Sequence, residues 1–223
     1  NLIIMDMLAN FEWKRPISFS SGGIYSDENS FYLTNYLQFD GFNYRLVPIK
    51  TPENAEGDLG RVDAEGLYNI VKNFRWGNFK DLNVHFDETC TSNIISYRIS
   101  AGRAAEALSL KGQKKKALEL LNLAEKEIQS KKYNDARSLS AIVTGYIMAG
   151  EEQKGLVLAE KLKKDILKEY DYYTGLSPYE QQFVTKQKMT QARLYSMVVN
   201  SVVSAYQKMG EKDKAYQYLV ESI

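Results

Sequence analysis

The chain has 223 residues, of which 44% are hydrophobic, so it is long enough for one large domain or two small ones around a sizeable core. Its 29 basic and 28 acidic side chains leave a net charge of +1, which gives no electrostatic indication of nucleic-acid binding. One cysteine and one histidine argue against a disulfide, a zinc site or a haem site, and no segment has the roughly 18 continuous apolar residues of a membrane span. We therefore expect no cofactor and no nucleic-acid partner.

The first 88 residues are irregular and rich in aromatic side chains. They contain 15 of the 27 aromatic residues and carry 13 acidic against 8 basic side chains, a net charge of −5, whereas residues 89–223 carry +6. Pro16 favours an extended conformation at Arg15, and period-two spacing places Ile17 and Phe19 on one strand face. The patterns predict a helix, two strands, an exposed loop and a second helix at 2–11, 13–19, 42–49, 51–60 and 63–74. Residues 1–88 are therefore predicted to form a small α+β domain.

From residue 89 onward the pattern is that of continuous amphipathic helices. They are predicted at 89–111, 113–130, 135–149, 151–174, 178–209 and 211–222. Ser177 and Glu180 have the spacing of a capping box, and Pro178 suits the first position of a helix. We therefore predict a mainly α fold, in which the α+β layer precedes a helical domain over residues 89–223.

Three glycines at the predicted helix breaks begin a recurring pattern. Gly112, Gly150 and Gly210 are each followed by small or apolar residues at five and nine positions, and each is preceded by a large residue at four positions. These positions hold Ala117 and Leu121, Gly155 and Ala159, Ala215 and Leu219, and Leu108, Tyr146 and Tyr206. The pattern resembles the tetratricopeptide repeat, in which a small side chain lets the second helix of a hairpin approach the first.

The repeat spacing departs from that family. The glycines are 38 and 60 residues apart, whereas the repeat has a usual period of about 34. We therefore predict an antiparallel array of helical hairpins, with an unrelated helical bundle as the alternative. Such an array presents a concave surface to a peptide or another protein.

The motifs of common catalytic sites are absent from the sequence. No glycine-rich phosphate loop and no Gly-x-Ser-x-Gly turn occur, and a histidine-dependent triad would depend on His85 alone. The predicted helix start near Cys90 would lower the pKa of its thiol, but no base accompanies it, so we interpret Cys90 as a packed thiol and His85 as structural. The adjacent carboxylates of Asp87 and Glu88 point in different directions and do not form a catalytic pair.

Two lysine clusters lie on predicted amphipathic helices, opposite their apolar stripes. They comprise Lys114, Lys115 and Lys116, and Lys161, Lys163, Lys164 and Lys168. Solvated helix faces are the simplest interpretation, and attraction to an anionic lipid surface or to an acidic partner is the alternative.

The aromatic first half is the best candidate for a ligand surface. Flat rings near arginine side chains are suited to holding a sugar, whereas most aromatic side chains in small α+β layers belong to the core. The candidate binding residues are Trp13, Arg15, Tyr36, Tyr44, Arg45 and Trp76.

Five segments together indicate a family. They read NFEWKRPISF at 10–19, YLQFDGFNYRLVPI at 36–49, GRVD at 60–63, FRWGN at 74–78 and DYYTGLSP at 171–178. They resemble the C-terminal soluble region of a family of large multi-pass membrane proteins from Gram-negative bacteria, which is called a domain of unknown function and described as protein O-mannosyltransferase-like. Ser18 departs from the aromatic residue expected there, which weakens the strand prediction at this position.

The resemblance implies a location rather than a chemistry. In such proteins an N-terminal block of membrane helices resembles lipid-linked-sugar glycosyltransferases, and the catalytic acidic residues lie in loops that this sequence does not contain. No catalytic residue is therefore carried over. The resemblance implies a periplasmic module at the inner membrane, attached through an N-terminal membrane region, and the start at Asn1 instead of methionine leads us to expect an excised piece.

Three functions follow as hypotheses. The first is a non-catalytic periplasmic module of a membrane-bound glycosyltransferase, which binds an acceptor polypeptide or a partner protein. The second is a free-standing repeat adaptor, whose binding would survive the loss of residues 1–88. The third, which the missing catalytic motifs disfavour, is a hydrolase that acts on glycans.

Overall fold

The computed structural model describes residues 2–10, 12, 14–20, 33–51, 59–129 and 132–222. Most of these residues are helical, and a small four-stranded sheet lies near the N-terminus. The predicted fold class, mainly α with a small α+β N-terminal part, is therefore confirmed. The predicted loop at 51–60 lies for the most part outside the described residues.

The N-terminal layer combines two helices with the sheet. Its elements are α1 (Leu2–Ala9), β1 (Ser18–Ser20), β2 (Leu37–Phe39), β3 (Asn43–Leu46), β4 (Arg61–Val62) and α2 (Ala64–Lys72). The strand order is β1-β3-β2-β4, in which β3 is antiparallel to β1 and β2, and β4 is parallel to β2. Both predicted helices and the strand at 42–49 are confirmed, whereas the strand at 13–19 is confirmed only at its end, because β1 begins at Ser18.

The sequence pattern does not predict β2, although it is one of the two inner strands of the sheet. Leu37, Gln38 and Phe39 are all buried, and although they alternate in polarity, three residues are too few to establish a period-two pattern. In β3 the alternation is present, because Tyr44 and Leu46 are buried and Asn43 is exposed. A pattern search therefore finds β3 and misses β2.

Seven helices follow in the described part of the chain. They are α3 (Glu88–Leu110), α4 (Lys114–Glu127), α5 (Ala136–Ala149), α6 (Glu152–Thr174), α7 (Pro178–Gln181), α8 (Thr185–Lys208) and α9 (Lys212–Glu221). The predicted helix at 178–209 is wrong as one continuous element. The capping box of Ser177 and Glu180 is present, but the Gln181 side-chain amide donates to the carbonyl oxygens of Thr174 and Leu176, and the chain turns before α8 begins. The other five predicted helices are confirmed to within three residues at each end.

The helices pack as three hairpins, α3 with α4, α5 with α6, and α8 with α9. Gly112, Gly150 and Gly210 have φ angles of 74°, 98° and 81°, which only glycine adopts without strain, so each hairpin turns where the sequence predicts. The large residues before the turns and the small residues after them are buried, as the repeat pattern requires; these are Leu108, Tyr146, Tyr206, Ala117, Gly155 and Ala215. The array is thus repeat-like, and its assignment as tetratricopeptide repeats stays a prediction.

The N-terminal layer and the helical array share a hydrophobic core. One buried cluster runs from Ile17 in front of β1 through the sheet, α2, α3 and α4 to Ala149 of α5. A second cluster joins α5, α6, α8 and α9. Because apolar contacts cross residue 88, the predicted boundary between 1–88 and 89–223 separates an irregular segment from a helical one within one packed core. Whether it is also a boundary between folding units stays a prediction.

None of the helices described above combines the length and the apolar content that crossing a bilayer requires.

Candidate functional site: a groove between the first helices of the hairpins

The helices that begin each hairpin, α3, α5 and α8, line a groove with a volume of about 540 Å³. Its lining is mainly polar, small or cationic. It comprises Ile99, Gly102, Arg103 and Glu106 of α3, Arg137, Ser140, Ala141 and Thr144 of α5, and Met197, Asn200, Ser201, Val203, Ser204, Gln207 and Lys208 of α8. The groove is large enough for a small molecule or a short peptide segment.

Small residues set the floor of the groove by letting the helices approach closely. A Cβ atom on Gly102 would lie 2.7 Å from the backbone carbonyl group of Ala141, so α3 and α5 touch through their backbones at this point. On the other side, the Thr144 hydroxyl donates to the Ser201 carbonyl oxygen at 3.0 Å and connects α5 to α8. These contacts position the three helices that form the walls.

The charged side chains of the groove differ in whether they already form ion pairs or hydrogen bonds within the chain. Lys208 forms an ion pair with Glu106 at 2.7 Å, which links α8 to α3. Arg103 donates to the Tyr44 hydroxyl and to the Leu59 carbonyl oxygen, so it is committed to the N-terminal layer. Arg137 is exposed, and we find no ion pair or hydrogen bond of its side chain within the described residues. Arg137 is therefore the groove cation most accessible to a ligand.

The arrangement suits binding better than acid–base chemistry. The hydroxyl and amide side chains of the groove can donate and accept hydrogen bonds along an extended chain. Glu106 is the carboxylate among the lining residues, and its charge is balanced by Lys208. Among the residues that the structure describes, no group of three or more His, Cys, Asp or Glu side chains could hold a metal ion.

The structure places the six sequence-predicted binding residues in different environments. Tyr44 and Trp76 are buried, with the Tyr44 ring 5.3 Å from that of Phe39 and the Trp76 ring 5.4 Å from that of Tyr97. The set also includes Arg15 and Tyr36, which are exposed, Arg45, whose Nε lies 2.9 Å from a carboxylate oxygen of Asp40, and Trp13, which lies outside the described residues. Two of the six thus belong to the core, and the binding role of the set stays a prediction.

A second cleft, of about 520 Å³, lies beside the N-terminal half of α3. Aromatic side chains dominate its lining, which consists of Phe42, Asn43, Phe79, Phe86, Cys90, Asn93, Ser96 and Tyr97. None of them is among the six binding residues predicted from the sequence. The spacing of Cys90, Asn93 and Tyr97, which places them on one helix face, is the signal that could have identified them.

Cys90 differs from the sequence interpretation in two respects. Its thiol is exposed instead of packed. A hydrogen bond with the Asp87 carboxylate raises the pKa of the Cys90 thiol above its usual value, which is opposite to the lowering expected at a helix start. The same carboxylate caps α3 by accepting from the Cys90 backbone N–H at 2.7 Å. A raised pKa disfavours the thiolate, so Cys90 is a poor nucleophile.

One member of the lysine clusters is also misassigned by the sequence. Lys163 is only 8% exposed, and its Nζ lies 2.7 Å from a carboxylate oxygen of Glu160 and 3.2 Å from the Ser222 hydroxyl. The interpretation of the clusters as solvated faces is therefore wrong for Lys163. Lys114, Lys115, Lys161, Lys164 and Lys168 are exposed, which fits both a solvated face and the alternative of attraction to an anionic lipid surface or an acidic partner.

Comparison with known proteins gives one partial match. A family model described as TMEM260-associated domain 2 matches residues 1–66. That family is linked to a membrane protein, TMEM260, which is a protein O-mannosyltransferase. No curated protein and no solved structure matches the chain. The match covers the N-terminal layer up to the beginning of α2 and leaves the groove-forming helices without a counterpart.

Proposed function

We propose that this chain is a non-catalytic, periplasmic interaction module of a membrane-bound glycosyltransferase. In this proposal the groove between α3, α5 and α8 binds an acceptor polypeptide or a partner protein. The observation that carries the proposal is the groove itself, which is lined by three helices and has an exposed cation, Arg137, that pairs with none of the described residues.

A polypeptide is the ligand that the groove chemistry favours. An extended chain presents a backbone N–H and a C=O at each residue, and these need partners along a line. The α8 wall offers Asn200, Ser204 and Gln207 at spacings of four and three residues, which lie along one helix face. Arg137 on the opposite wall would favour a ligand with a carboxylate or another anionic group.

The N-terminal layer supports the link to a membrane protein. Residues 1–66 match a family that is linked to one, and Arg103 connects this layer to the groove wall. The guanidinium carbon of Arg103 lies 4.2 Å from the centroid of the Phe39 ring. A module in which the matched layer faces the membrane part would thus hold the groove at a fixed position relative to it.

Peptide binding with a groove-blocking variant tests the proposal. An array of overlapping peptides from exported proteins of the source organism would be screened with the whole chain, and the affinity of the best peptide measured by fluorescence anisotropy. Ser204→Trp fills the groove and Arg137→Glu reverses its accessible charge, so each is expected to weaken binding at least about tenfold, or about 1.4 kcal/mol.

Arg75→Glu is the matched control, because Arg75 is exposed and lies outside the groove. Binding that is lost in the groove variants and retained in this control supports the proposal. Equal binding by all variants, or no peptide binding by the folded chain, would contradict it. Glycosyl transfer by the parent protein would be assayed separately on the same peptides.

A further inference from the structure

The outer face of α6 carries a stripe of lysine and apolar side chains. Val157, Lys161, Lys164, Lys168 and Tyr172 follow one another at spacings of four, three, four and four residues, which places them on one side of the helix. All five are exposed, Val157 by 60% and Tyr172 by 66%. With a rise of 1.5 Å per residue, the stripe is roughly 22 Å long.

The lysines of this stripe are not used within the described structure. Lys161, Lys164 and Lys168 form no ion pair or side-chain hydrogen bond with the described residues. Lys163, in contrast, points inward to Glu160 and Ser222, and the buried side of α6 packs on α5 and α8. The stripe is therefore a separate outward surface and not part of the hairpin interfaces.

Two further exposed rings follow the end of α6. Tyr179 lies in α7 and Phe183 in the turn after it, and their rings are 5.3 Å apart. Of the acidic residues nearby, Glu180 is held in the capping box with Ser177, and Glu169 accepts a hydrogen bond from Gln191. Glu160 pairs with Lys163, Asp165 accepts from Asn134, and Asp171 is exposed beside Lys168. The surface thus combines unused positive charge with exposed aromatic and aliphatic side chains.

We infer that this outer face of α6 contacts a bilayer surface that contains anionic lipid headgroups. Lysines near such a surface are attracted to it, and tyrosine rings suit the boundary between headgroups and acyl chains. An acidic polypeptide would satisfy the lysines but would not explain the exposed Val157, Tyr172 and Phe183 beside them. The match of residues 1–66 to a family linked to a membrane protein agrees with this location. The surface is distinct from the groove, so the two proposals can fail independently.

Flotation of the whole chain with lipid vesicles tests the inference. We expect the chain to float with vesicles of phosphatidylglycerol and phosphatidylethanolamine but not with vesicles of phosphatidylcholine alone. Lys161→Ser, Lys164→Ser and Lys168→Ser combined are expected to reduce partitioning at least about tenfold, because each lysine strengthens binding to an anionic surface about fivefold. Tyr172→Ser combined with Phe183→Ser is expected to reduce it as well, with the charge unchanged.

A matched variant distinguishes binding through this face of α6 from a general effect of the net positive charge of the chain. Lys111→Ser, Lys114→Ser and Lys115→Ser combined remove the same charge from exposed lysines at the turn between α3 and α4. An equal loss in both triple variants would overturn the inference, as would the absence of flotation on anionic vesicles. Loss with the lysine variant but none with Tyr172→Ser and Phe183→Ser would overturn it too, because attraction by charge alone would not distinguish a bilayer surface from any other anionic partner. Peptide binding by the groove would be unaffected in every case.

Discussion

At the residue scale, Arg98 is a buried cation that is stabilised by oxygen acceptors from several segments of the chain. It is only 2% exposed, and its two terminal nitrogens donate to the carbonyl oxygens of Tyr133 and Ile128 at 2.8 and 3.1 Å and to the Ser138 hydroxyl at 3.0 Å. Burial lowers the pKa of the Arg98 guanidinium to about 10, although Asp135 and Glu125 act in the opposite direction. Arg98 therefore remains charged at neutral pH and holds the connection between α4 and α5 through carbonyl groups.

Replacing Arg98 should test this role. Arg98→Met keeps the length of the side chain but leaves the Ile128 and Tyr133 carbonyl oxygens without their donors, so we expect the free energy of unfolding to fall by about 2–4 kcal/mol. Arg98→Lys should also destabilise the fold, because one ammonium group cannot reach all three acceptors. Urea unfolding followed by circular dichroism measures both values. A loss below about 0.5 kcal/mol in Arg98→Met would contradict this role.

Single residues are also where prediction from the sequence was weakest. Arg98 and Lys163 have the same sequence appearance as exposed cations on a helix, yet both are buried, because neighbouring elements supply oxygen partners, which for Lys163 is the Ser222 hydroxyl. For Trp76 and Tyr44 the sequence left both a ligand surface and the favoured core position open, and both side chains pack in the core, against Tyr97 and Phe39. Such outcomes depend on long-range contacts, which a sequence pattern does not contain.

At the element scale, a series of lysine–glutamate pairs connects the second helices of successive hairpins, α4, α6 and α9, which we call the outer helices. Each lysine lies four residues after the turn glycine of its hairpin, and each glutamate lies on the preceding outer helix. The pairs are Lys116 with Glu65 of α2, Lys154 with Glu125 of α4, and Lys214 with Glu152 of α6. In this respect α2 takes the place of an outer helix and begins the array, which explains how the N-terminal layer covers its first hairpin.

The last of these pairs predicts a pH dependence. Hydrogen bonds from Tyr206 and then Lys214 lower the pKa of the Glu152 carboxyl below its ordinary value of 4.5 in the folded chain. The unfolded chain therefore binds this proton more readily, so the stabilisation is fully present above about pH 4.5 and is lost as the pH falls through the lower, folded pKa. Glu152→Gln should cost about 0.5 kcal/mol at pH 7 and much less at pH 3. Urea unfolding of both proteins at the two pH values measures this, and an equal cost at both would contradict it.

Helix contacts at two of the buried glycines, Gly102 and Gly155, give a sharper contrast. In Gly102→Ala the new methyl group would lie 2.7 Å from the Ala141 backbone, which cannot move without separating α3 from α5. We expect a net loss of about 1–2 kcal/mol, although alanine favours the helix by about 1 kcal/mol. In Gly155→Ala the nearest atom, at 2.6 Å, is Cγ1 of the Ile147 side chain, and the nearest backbone atom, the Val143 carbonyl oxygen, is 3.1 Å away, so the loss should be smaller. Thermal and urea unfolding compare the two, and a larger loss in Gly155→Ala would refute the contrast.

Elements were predicted well where local chemistry determines them. The turn glycines, the capping box at Ser177 and the amphipathic periodicity located the helices to within a few residues. The same reasoning joined α7 and α8 into one helix, because the hydrogen bonds of Gln181 that divert the chain involve carbonyl groups of the preceding turn. β2 and β4 were missed because strands of three and two residues are too short to show a period.

At the scale of the whole molecule, the groove depends on both the N-terminal layer and the helical array. Its α3 wall carries Arg103, which bonds to Tyr44 and Leu59 of the N-terminal layer, and the buried cluster continues from that layer into α5. A groove walled by α3, α5 and α8 could not be predicted from the sequence, because no local signal states which helices lie side by side. Removing residues 1–88 would expose apolar side chains of α3 and α4, so binding by residues 89–223 alone, as the free-standing adaptor requires, is not expected.

Whether the chain unfolds as one unit can be measured with its own chromophores. Both tryptophans, Trp13 and Trp76, lie before residue 88, so tryptophan fluorescence reports on the N-terminal layer, while circular dichroism at 222 nm is dominated by the helices that follow. Because one apolar cluster crosses residue 88, we expect the two urea-unfolding curves of the whole chain to coincide. Trp13→Phe is the control, because it leaves Trp76, whose buried ring lies 5.4 Å from that of Tyr97, as the single tryptophan reporter. Separated curves would instead make residue 88 a boundary between folding units, and the groove would then belong to the helical domain alone.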